Sequence, residues 1–165
     1  MTVHPRIMLA LRIVLLTLIA ATLVFIFVNS ALPPEKSSEA SDGFSDFIAT
    51  IIPPDTTLGG FIKDYIRKIA HFTEYGLLGM LLALYLSLFA KRRVRAALFS
   101  PLFALVVGFI DESIQIASKR GPEILDVWID IGGFVFFSLI AYGVIFLVWQ
   151  AVRLLRTKKT EIKEG

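Results

Sequence analysis

The chain has 165 residues, of which 56% are hydrophobic and 19% are charged, so it is far more apolar than an ordinary soluble domain. Its formal net charge of +3 is spread over several connecting segments, which argues against the single basic face of a nucleic-acid-binding module. The absence of cysteine excludes disulfides, zinc–thiolate sites and cysteine nucleophiles.

The first apolar run, at about residues 7–28, is long enough to cross a bilayer. Its one charge, Arg12, lies near the start and is expected to extend to the lipid head groups. We predict a retained helix. A cleaved signal peptide is the competing interpretation, because Arg6 precedes the run and the small residues Ser30 and Ala31 follow it. The run exceeds the roughly 7 to 15 residues of a signal-peptide core, which favours retention.

The segment from about residue 29 to residue 68 is predicted to be a polar outer loop with two proline pairs. Before the second pair, apolar residues recur at helical spacing and predict a short amphipathic helix at the membrane surface. These residues are Phe44, Phe47, Ile48, Ile51 and Ile52. Gly59 and Gly60 are expected to break the chain before a second apolar stripe that leads into the next span.

Further apolar runs predict three more spans, at about residues 69–90, 96–116 and 127–149. A basic cluster at residues 91–95 follows the first of these, and a basic tail at about residues 150–165 follows the last. The sequence therefore predicts an all-α polytopic membrane protein. It would form one domain, a bundle of four transmembrane helices with an amphipathic interfacial segment between the first two.

The distribution of basic residues predicts the orientation of the bundle. Four spans place both termini on one side of the membrane. That side, together with the second connection, carries ten of the 17 lysine and arginine residues. The opposite side carries six, which acidic residues dilute. By the positive-inside rule both termini are expected to be cytoplasmic.

Acidic residues inside the third span are the strongest indication of function. Asp111 and Glu112 interrupt an apolar run, and a charge near the bilayer centre costs about 2.5 kcal/mol or more even on lenient insertion scales. On the predicted topology, polar residues of three spans reach the same outer depth. They are Lys68, His71, Glu74 and Tyr75, then Asp111, Glu112, Gln115 and Arg120, and finally Asp126 and Asp130. We therefore predict one outward-facing polar pocket.

The same residues resemble the signature of a known family. The motifs are Lys68-x-x-His71-Phe72-x-x-Tyr75, then Asp111-Glu112-x-x-Gln115, and then Arg120, Asp126-Val127-x-x-Asp130 and Gly133. In this order they resemble the VanZ-like membrane proteins over roughly residues 64 to 145. Two positions depart from the expected pattern: Gly121-Pro122-Glu123 replaces small hydroxylated residues, and Asp130 occupies a position that is often asparagine.

The resemblance implies a small multi-span bacterial protein, similar to one that confers low-level resistance to teicoplanin, a glycopeptide antibiotic with a lipid tail. The first hypothesis is a cell-envelope binding protein whose pocket holds a lipid head group or the charged part of a lipoglycopeptide. Arg120, Lys68 and His71 would meet phosphate or carboxylate groups, and the acids would meet an amine. No cofactor and no nucleic-acid partner are expected.

The second hypothesis is an intramembrane hydrolase or transferase that acts on a lipid-linked envelope precursor. Its acids and His71 could form an acid/base pair or hold a metal. No metal is expected, but its ligands would be His71, Asp111, Glu112 and Asp126. No nucleophile or phosphate-binding motif supports catalysis. Proton-coupled transport is disfavoured because it would place acids near the membrane midplane.

Overall fold

The structure, a computed structural model, describes residues 4–33, 35–36, 43, 46–47, 49–53, 55–89, 93–119 and 123–164. Four long helices run through these ranges: α1 (Pro5–Ala31), α2 (Thr57–Ser87), α3 (Arg93–Ala117) and α4 (Ile124–Glu164). The described residues contain no β-strand. The predicted all-α class and four-helix membrane bundle are confirmed.

Each helix contains a segment that is long and apolar enough to cross a membrane. In chain order these segments are Pro5–Ala31, Tyr65–Ser87, Ala96–Ala117 and Ile124–Leu155. Their ends differ from the predicted spans by several residues. The largest difference is in α4, which continues as a helix through most of the predicted basic tail.

Two tryptophans mark the length of α4 that faces lipid. Trp128 is 65% exposed and Trp149 is 55% exposed. Their separation in the helix is roughly 31 Å at 1.5 Å per residue, close to the ~30 Å thickness of the hydrocarbon layer. Tryptophan is typical of both membrane interfaces. Asp126 and Asp130, each two residues from Trp128 in sequence, therefore lie close to one interface.

The beginning of α2 shows that the predicted chain break is wrong. Gly59 and Gly60 lie in the first turn of a helix that starts at Thr57. Thr56 caps this helix, because its hydroxyl accepts a hydrogen bond from the Gly59 backbone N–H at 3.1 Å. The cap satisfies a donor that has no partner inside the helix. The apolar stripe after the glycines thus belongs to the same helix as His71.

The predicted amphipathic helix between the first two spans is described only in part. Phe44 and Ile48 lie outside the described residues. Phe47 and Ile51 are 59% and 65% exposed, and the Thr50 backbone N–H donates to the Phe47 carbonyl at 3.2 Å. The interpretation of the whole segment as a surface helix stays a prediction.

Glycines allow α2 and α4 to pack closely. A Cβ atom at Gly133 would overlap the backbone carbonyl of Phe72, and one at Gly79 would overlap that of Phe134. Association of helices in lipid depends on such van der Waals contacts, because the lipid tails are as apolar as the side chains. Leu78 and Phe134 are fully buried at this contact, which forms the centre of the bundle.

Helices α1 and α3 complete the bundle around this pair. Ile26 of α1 and Ala104 and Val107 of α3 are buried in the same core. At the other end of α1, Arg12 donates from Nη2 to the Leu88 carbonyl at 3.3 Å, just after α2 ends. A cation is favourable there because the helix dipole places negative charge at the C-terminus. Helix α1 thus contributes both to the buried core and to the end of α2.

One end of the bundle, called the apolar end below, is filled less tightly. A cavity of about 620 Å³ lies there between α3 and α4, near Leu98 and Trp149. Pro101 lines this cavity and lacks an N–H, so the Ala97 carbonyl one turn earlier has no helical partner. The Ser100 hydroxyl donates to that carbonyl at 2.8 Å and so gives it a partner within the membrane-spanning segment.

Candidate functional site

The polar residues lie together at the opposite end of the bundle, called the polar end below. The C-terminal parts of α1 and α3 meet the N-terminal halves of α2 and α4 at this end. Eight of these side chains belong to residues that are at most 8% exposed. They are Ser30, His71, Tyr75, Asp111, Glu112, Gln115, Asp126 and Asp130. The cluster is therefore enclosed between helices and does not face lipid.

His71 lies between two carboxylates in the deeper part of the cluster. Its Nδ1 is 3.3 Å from Asp130 Oδ1 and 3.8 Å from Asp111 Oδ2. Tyr75 follows one turn later on α2 and is fully buried. We call Ser30, His71, Tyr75, Asp111 and Asp130 the buried layer. A histidine in this position can exchange a proton with either carboxylate or, as neutral imidazole, share a cation with them.

Helix α1 supplies two polar contacts to the cluster. The Ser30 hydroxyl donates a hydrogen bond to Asp111 Oδ1. The Asn29 side-chain amide donates to Glu74 Oε1 at 3.1 Å, so Glu74 is directed towards α1. Both contacts require α1 to be present in the bundle, and the first span therefore forms part of the site.

Arg67 connects the buried acids to the surface. Its Nη2 donates to Gln115 Oε1 at 2.7 Å and lies 3.7 Å from Asp126 Oδ2. The Arg67 side chain is 38% exposed, whereas that of Asp126 is 2% exposed. We call Arg67, Glu112, Gln115 and Asp126 the rim layer. Because Arg67 precedes His71 by one turn of α2, the rim layer lies directly above the buried layer.

Gln115 and Glu112 continue the rim layer along α3. Gln115 Nε2 donates to Glu112 Oε1 at 3.1 Å and to Asp111 Oδ2 at 3.4 Å. The other Glu112 oxygen accepts from the Glu123 backbone N–H at 3.1 Å, which joins α3 to the start of α4. Lys68 Nζ lies outside these contacts, 3.6 Å from Glu123 Oε2. A partly exposed pair of this kind contributes only about 0–1 kcal/mol.

The structure brings together seven of the ten residues predicted for the pocket. They are His71, Tyr75, Asp111, Glu112, Gln115, Asp126 and Asp130. Lys68 and Glu74 lie at the margins, where Lys68 pairs with Glu123 and Glu74 accepts a hydrogen bond from Asn29. Arg120 lies outside the described residues.

The predicted set of metal ligands differs from the residues that surround His71. Glu112 is engaged by Gln115 and by the Glu123 backbone, and Asp126 faces Arg67. The carboxylates beside His71 belong to Asp111 and Asp130. One ligand atom from each of these three residues lies within 4.8 Å of the other two, so Asp130 replaces both Glu112 and Asp126.

Three residues of the site were not predicted from the sequence. Arg67 precedes the predicted second span, although Arg67, His71 and Tyr75 follow one another at intervals of four residues on one helix face. Asn29 and Ser30 carry no comparable signal, because small polar residues are common where a span ends.

The family model described as VanZ/LLP1 matches residues 13–149. That range contains most of the chain and reaches into all four helices. The chain belongs to the VanZ/LLP1 family. No curated protein and no solved structure matches it. The resemblance inferred from the ordered polar motifs is confirmed at the level of the family.

In this VanZ/LLP1 protein, the matched residues contain the whole buried layer and the whole rim layer. They begin before Ser30, the first residue of the cluster, and end after Asp130, the last. They also contain Gly79 and Gly133, which bring α2 and α4 together. The residues that match the family model therefore include both the polar end and the contact between α2 and α4.

Proposed function

We propose that this VanZ/LLP1 protein binds the charged head of an amphiphilic envelope molecule at its polar end, in the bacterial cell membrane. The proposed ligands are a lipid-linked cell-wall precursor and a lipoglycopeptide of the teicoplanin type, which share a polar head and a lipid tail. Binding of the second ligand would contribute to glycopeptide resistance. Ordinary membrane lipids would contact the apolar outer faces of the helices.

The position of Arg67 carries this proposal. Its side chain is partly exposed, yet its guanidinium contacts Gln115 and the buried Asp126. Arg67 and Lys68 offer donors that suit phosphate or carboxylate, and the acids beside them suit an amine. Positively and negatively charged side chains thus extend from the protein surface into the buried cluster. A charged head can leave water at such a site without losing its partners.

We infer that the polar end faces outwards and that both termini are cytoplasmic, because the basic residues are concentrated on the other side. The absence of native cysteine makes this testable by labelling. A single cysteine at Asp55, in the loop before α2, should react with a membrane-impermeant maleimide applied to intact cells. A cysteine at Glu164 should react only after lysis. The reverse pattern would contradict this orientation.

The binding proposal is tested with full-length protein in mild detergent and teicoplanin as the probe. Arg67→Ala should weaken binding at least tenfold, because it removes the cation that joins surface to cluster. Arg153→Ala is the matched control, since Arg153 lies over the Trp149 ring beyond the apolar end. A glycopeptide without a lipid tail should bind more weakly than teicoplanin to wild type.

Equal teicoplanin affinity of wild type and Arg67→Ala would contradict binding at the polar end. If teicoplanin does not bind at all, the same variants are tested with a purified lipid-linked precursor. Binding of that precursor, lost in Arg67→Ala, would identify the other proposed ligand. In cells, deletion of the gene should then leave teicoplanin susceptibility unchanged.

The pair formed by His71 and Asp130 favours one second candidate, an intramembrane hydrolase or transferase of the same precursor. The 3.3 Å between Nδ1 and Oδ1 is close enough for an acid/base pair that tightens when substrate binds. Wild-type protein incubated with the precursor should then release a cleaved or transferred product, detected by mass spectrometry. His71→Gln should release none, and absence of turnover by wild type would rule against catalysis on that substrate.

A further inference from the structure

The buried layer contains polar atoms that make no hydrogen bond to any described residue. They are both carboxylate oxygens of Asp130, His71 Nδ1 and Tyr75 Oη. Although His71 Nδ1 lies 3.3 Å from Asp130, the two groups are not aligned as a hydrogen bond. Leaving a buried polar group unsatisfied costs about 1–3 kcal/mol, and a buried charge costs more. A bound species that contacts these atoms would remove that cost.

Among the described residues of the polar end, buried carboxylates are more numerous than the cations that pair with them. The buried carboxylates are those of Asp111, Glu112, Asp126 and Asp130. Within the described part of the chain, the cationic groups that form ion pairs with them are Arg67 and, when protonated, His71. Among the described residues, these four carboxylates thus outnumber the cationic groups that pair with them. A cation bound among the carboxylates would reduce their mutual repulsion.

We propose that His71, Asp111 and Asp130 bind a divalent transition-metal cation, Zn²⁺ or Mn²⁺. His71 Nδ1 is 3.3 Å from the nearest Asp130 oxygen and 3.8 Å from the nearest Asp111 oxygen. Ligand atoms that each lie about 2.1 Å from a metal are separated from one another by roughly 3 to 4 Å. Both distances from His71 Nδ1 thus lie in the range of ligand spacing, and one ligand atom from each of the three residues lies within 4.8 Å of the other two.

The donor atoms select this class of metal. One imidazole nitrogen and two carboxylates suit Zn²⁺ or Mn²⁺, whereas Ca²⁺ takes about six to eight oxygens and Cu(I) prefers sulfur. Ser30 and Gln115 donate to Asp111 and hold its carboxylate in place, as outer hydrogen bonds do at metal sites. Three protein ligands leave at least one coordination position for water or an anion.

Metal binding goes beyond the proposed binding of an amphiphile and is tested without an amphiphile. Either proposal can therefore fail while the other stands. Full-length protein in mild detergent is stripped with a chelator and equilibrated separately with Zn²⁺ and Mn²⁺. Bound metal is counted by elemental mass spectrometry, and affinity is measured by calorimetry. Wild type should bind about one ion per chain with at least one of the two metals.

Substitutions at the ligands should weaken binding in a graded order. Asp130→Asn, which preserves shape, and His71→Gln should each weaken binding a hundredfold or more. Ser30→Ala removes only a donor to Asp111 and should weaken it roughly tenfold. His4→Gln and Glu123→Gln are matched controls, an exposed histidine and an exposed carboxylate, and should bind like wild type.

Helical content and Tm of each variant in the same detergent separate lost binding from lost folding. If one ligand variant unfolds, the other and Ser30→Ala still decide the question. Failure of stripped wild type to bind either metal would overturn the proposal. So would Asp130→Asn or His71→Gln protein that folds and binds with wild-type affinity.

Discussion

The two ends of the bundle show how differently polar and apolar residues pack in a membrane. At the polar end, hydrogen bonds and ion pairs join all four helices, and the cluster is closed to lipid. At the apolar end, a cavity of about 620 Å³ remains between α3 and α4. Lipid tails can replace apolar side-chain contacts almost without cost, whereas they cannot replace a hydrogen bond. Hydrogen bonds and ion pairs therefore hold the polar end closed, whereas the apolar end tolerates a cavity.

One face of α4 passes through both ends. Asp126, Asp130, Phe134, Ser138 and Tyr142 recur at intervals of four residues on this face. The two acids belong to the cluster, and the last three residues line the cavity. Phe134 is fully buried between the two groups, where its backbone meets Gly79. The contact of α2 with α4 thus separates the charged part of this face from the cavity.

The largest effect is expected when this contact is broken. Gly133→Ala should lower the free energy of unfolding in detergent by about 2–3 kcal/mol, because the new methyl group overlaps the Phe72 backbone. Gly143→Ala is the control, since a Cβ there meets no atom within 4 Å. Equal unfolding midpoints for the two variants would show that α2 and α4 are not held by close contact.

A smaller effect is expected from removing the cation of the rim layer. Arg67→Ala removes the donor to Gln115 Oε1 and the ion-pair partner of Asp126, and should cost about 1–3 kcal/mol of unfolding free energy. Lys68→Ala breaks a partly exposed pair and should cost at most about 1 kcal/mol. Chemical unfolding followed by helicity measures both. A larger loss for Lys68→Ala would mean that the surface pair, not the rim layer, stabilises the polar end.

The smallest effect is expected at the cavity. Ala97→Leu adds side-chain volume to the cavity wall and should change the unfolding free energy by less than about 1 kcal/mol. Because Ala97 lies at the other end of the bundle from His71, metal and amphiphile binding should stay within twofold of wild type. A larger change in binding would show that packing at the apolar end affects binding at the polar end.

The sequence predicted the four spans because apolar runs of sufficient length stand out clearly from basic and proline-rich connections. It also predicted that His71 and Asp111 share a depth, which depends only on counting residues from the span ends. Which carboxylate contacts His71 could not be predicted, because that depends on the rotation of each helix about its axis. Asp130 and Glu112 both carry a carboxylate, and only the packing of α4 against α2 shows that Asp130 is the one beside His71.

Glycines account for two further differences between prediction and structure. Gly59 was expected to break a helix, but Thr56 caps the helix one turn earlier and makes the glycine acceptable. Gly79 was not singled out in the sequence, yet its missing side chain lets α4 approach α2. The same residue type weakens helices and allows close contacts, and the sequence does not show which effect applies until the neighbouring helix is known.

The hydrogen bond from Ser30 to Asp111 has a consequence for biosynthesis. Helices enter the membrane in the order of translation, so Ser30 and His71 are in place before Asp111 is synthesised. Asp111 can therefore meet a donor at once, whereas Asp130 arrives only with α4. The buried layer is therefore complete only when α4 has packed against the three earlier helices.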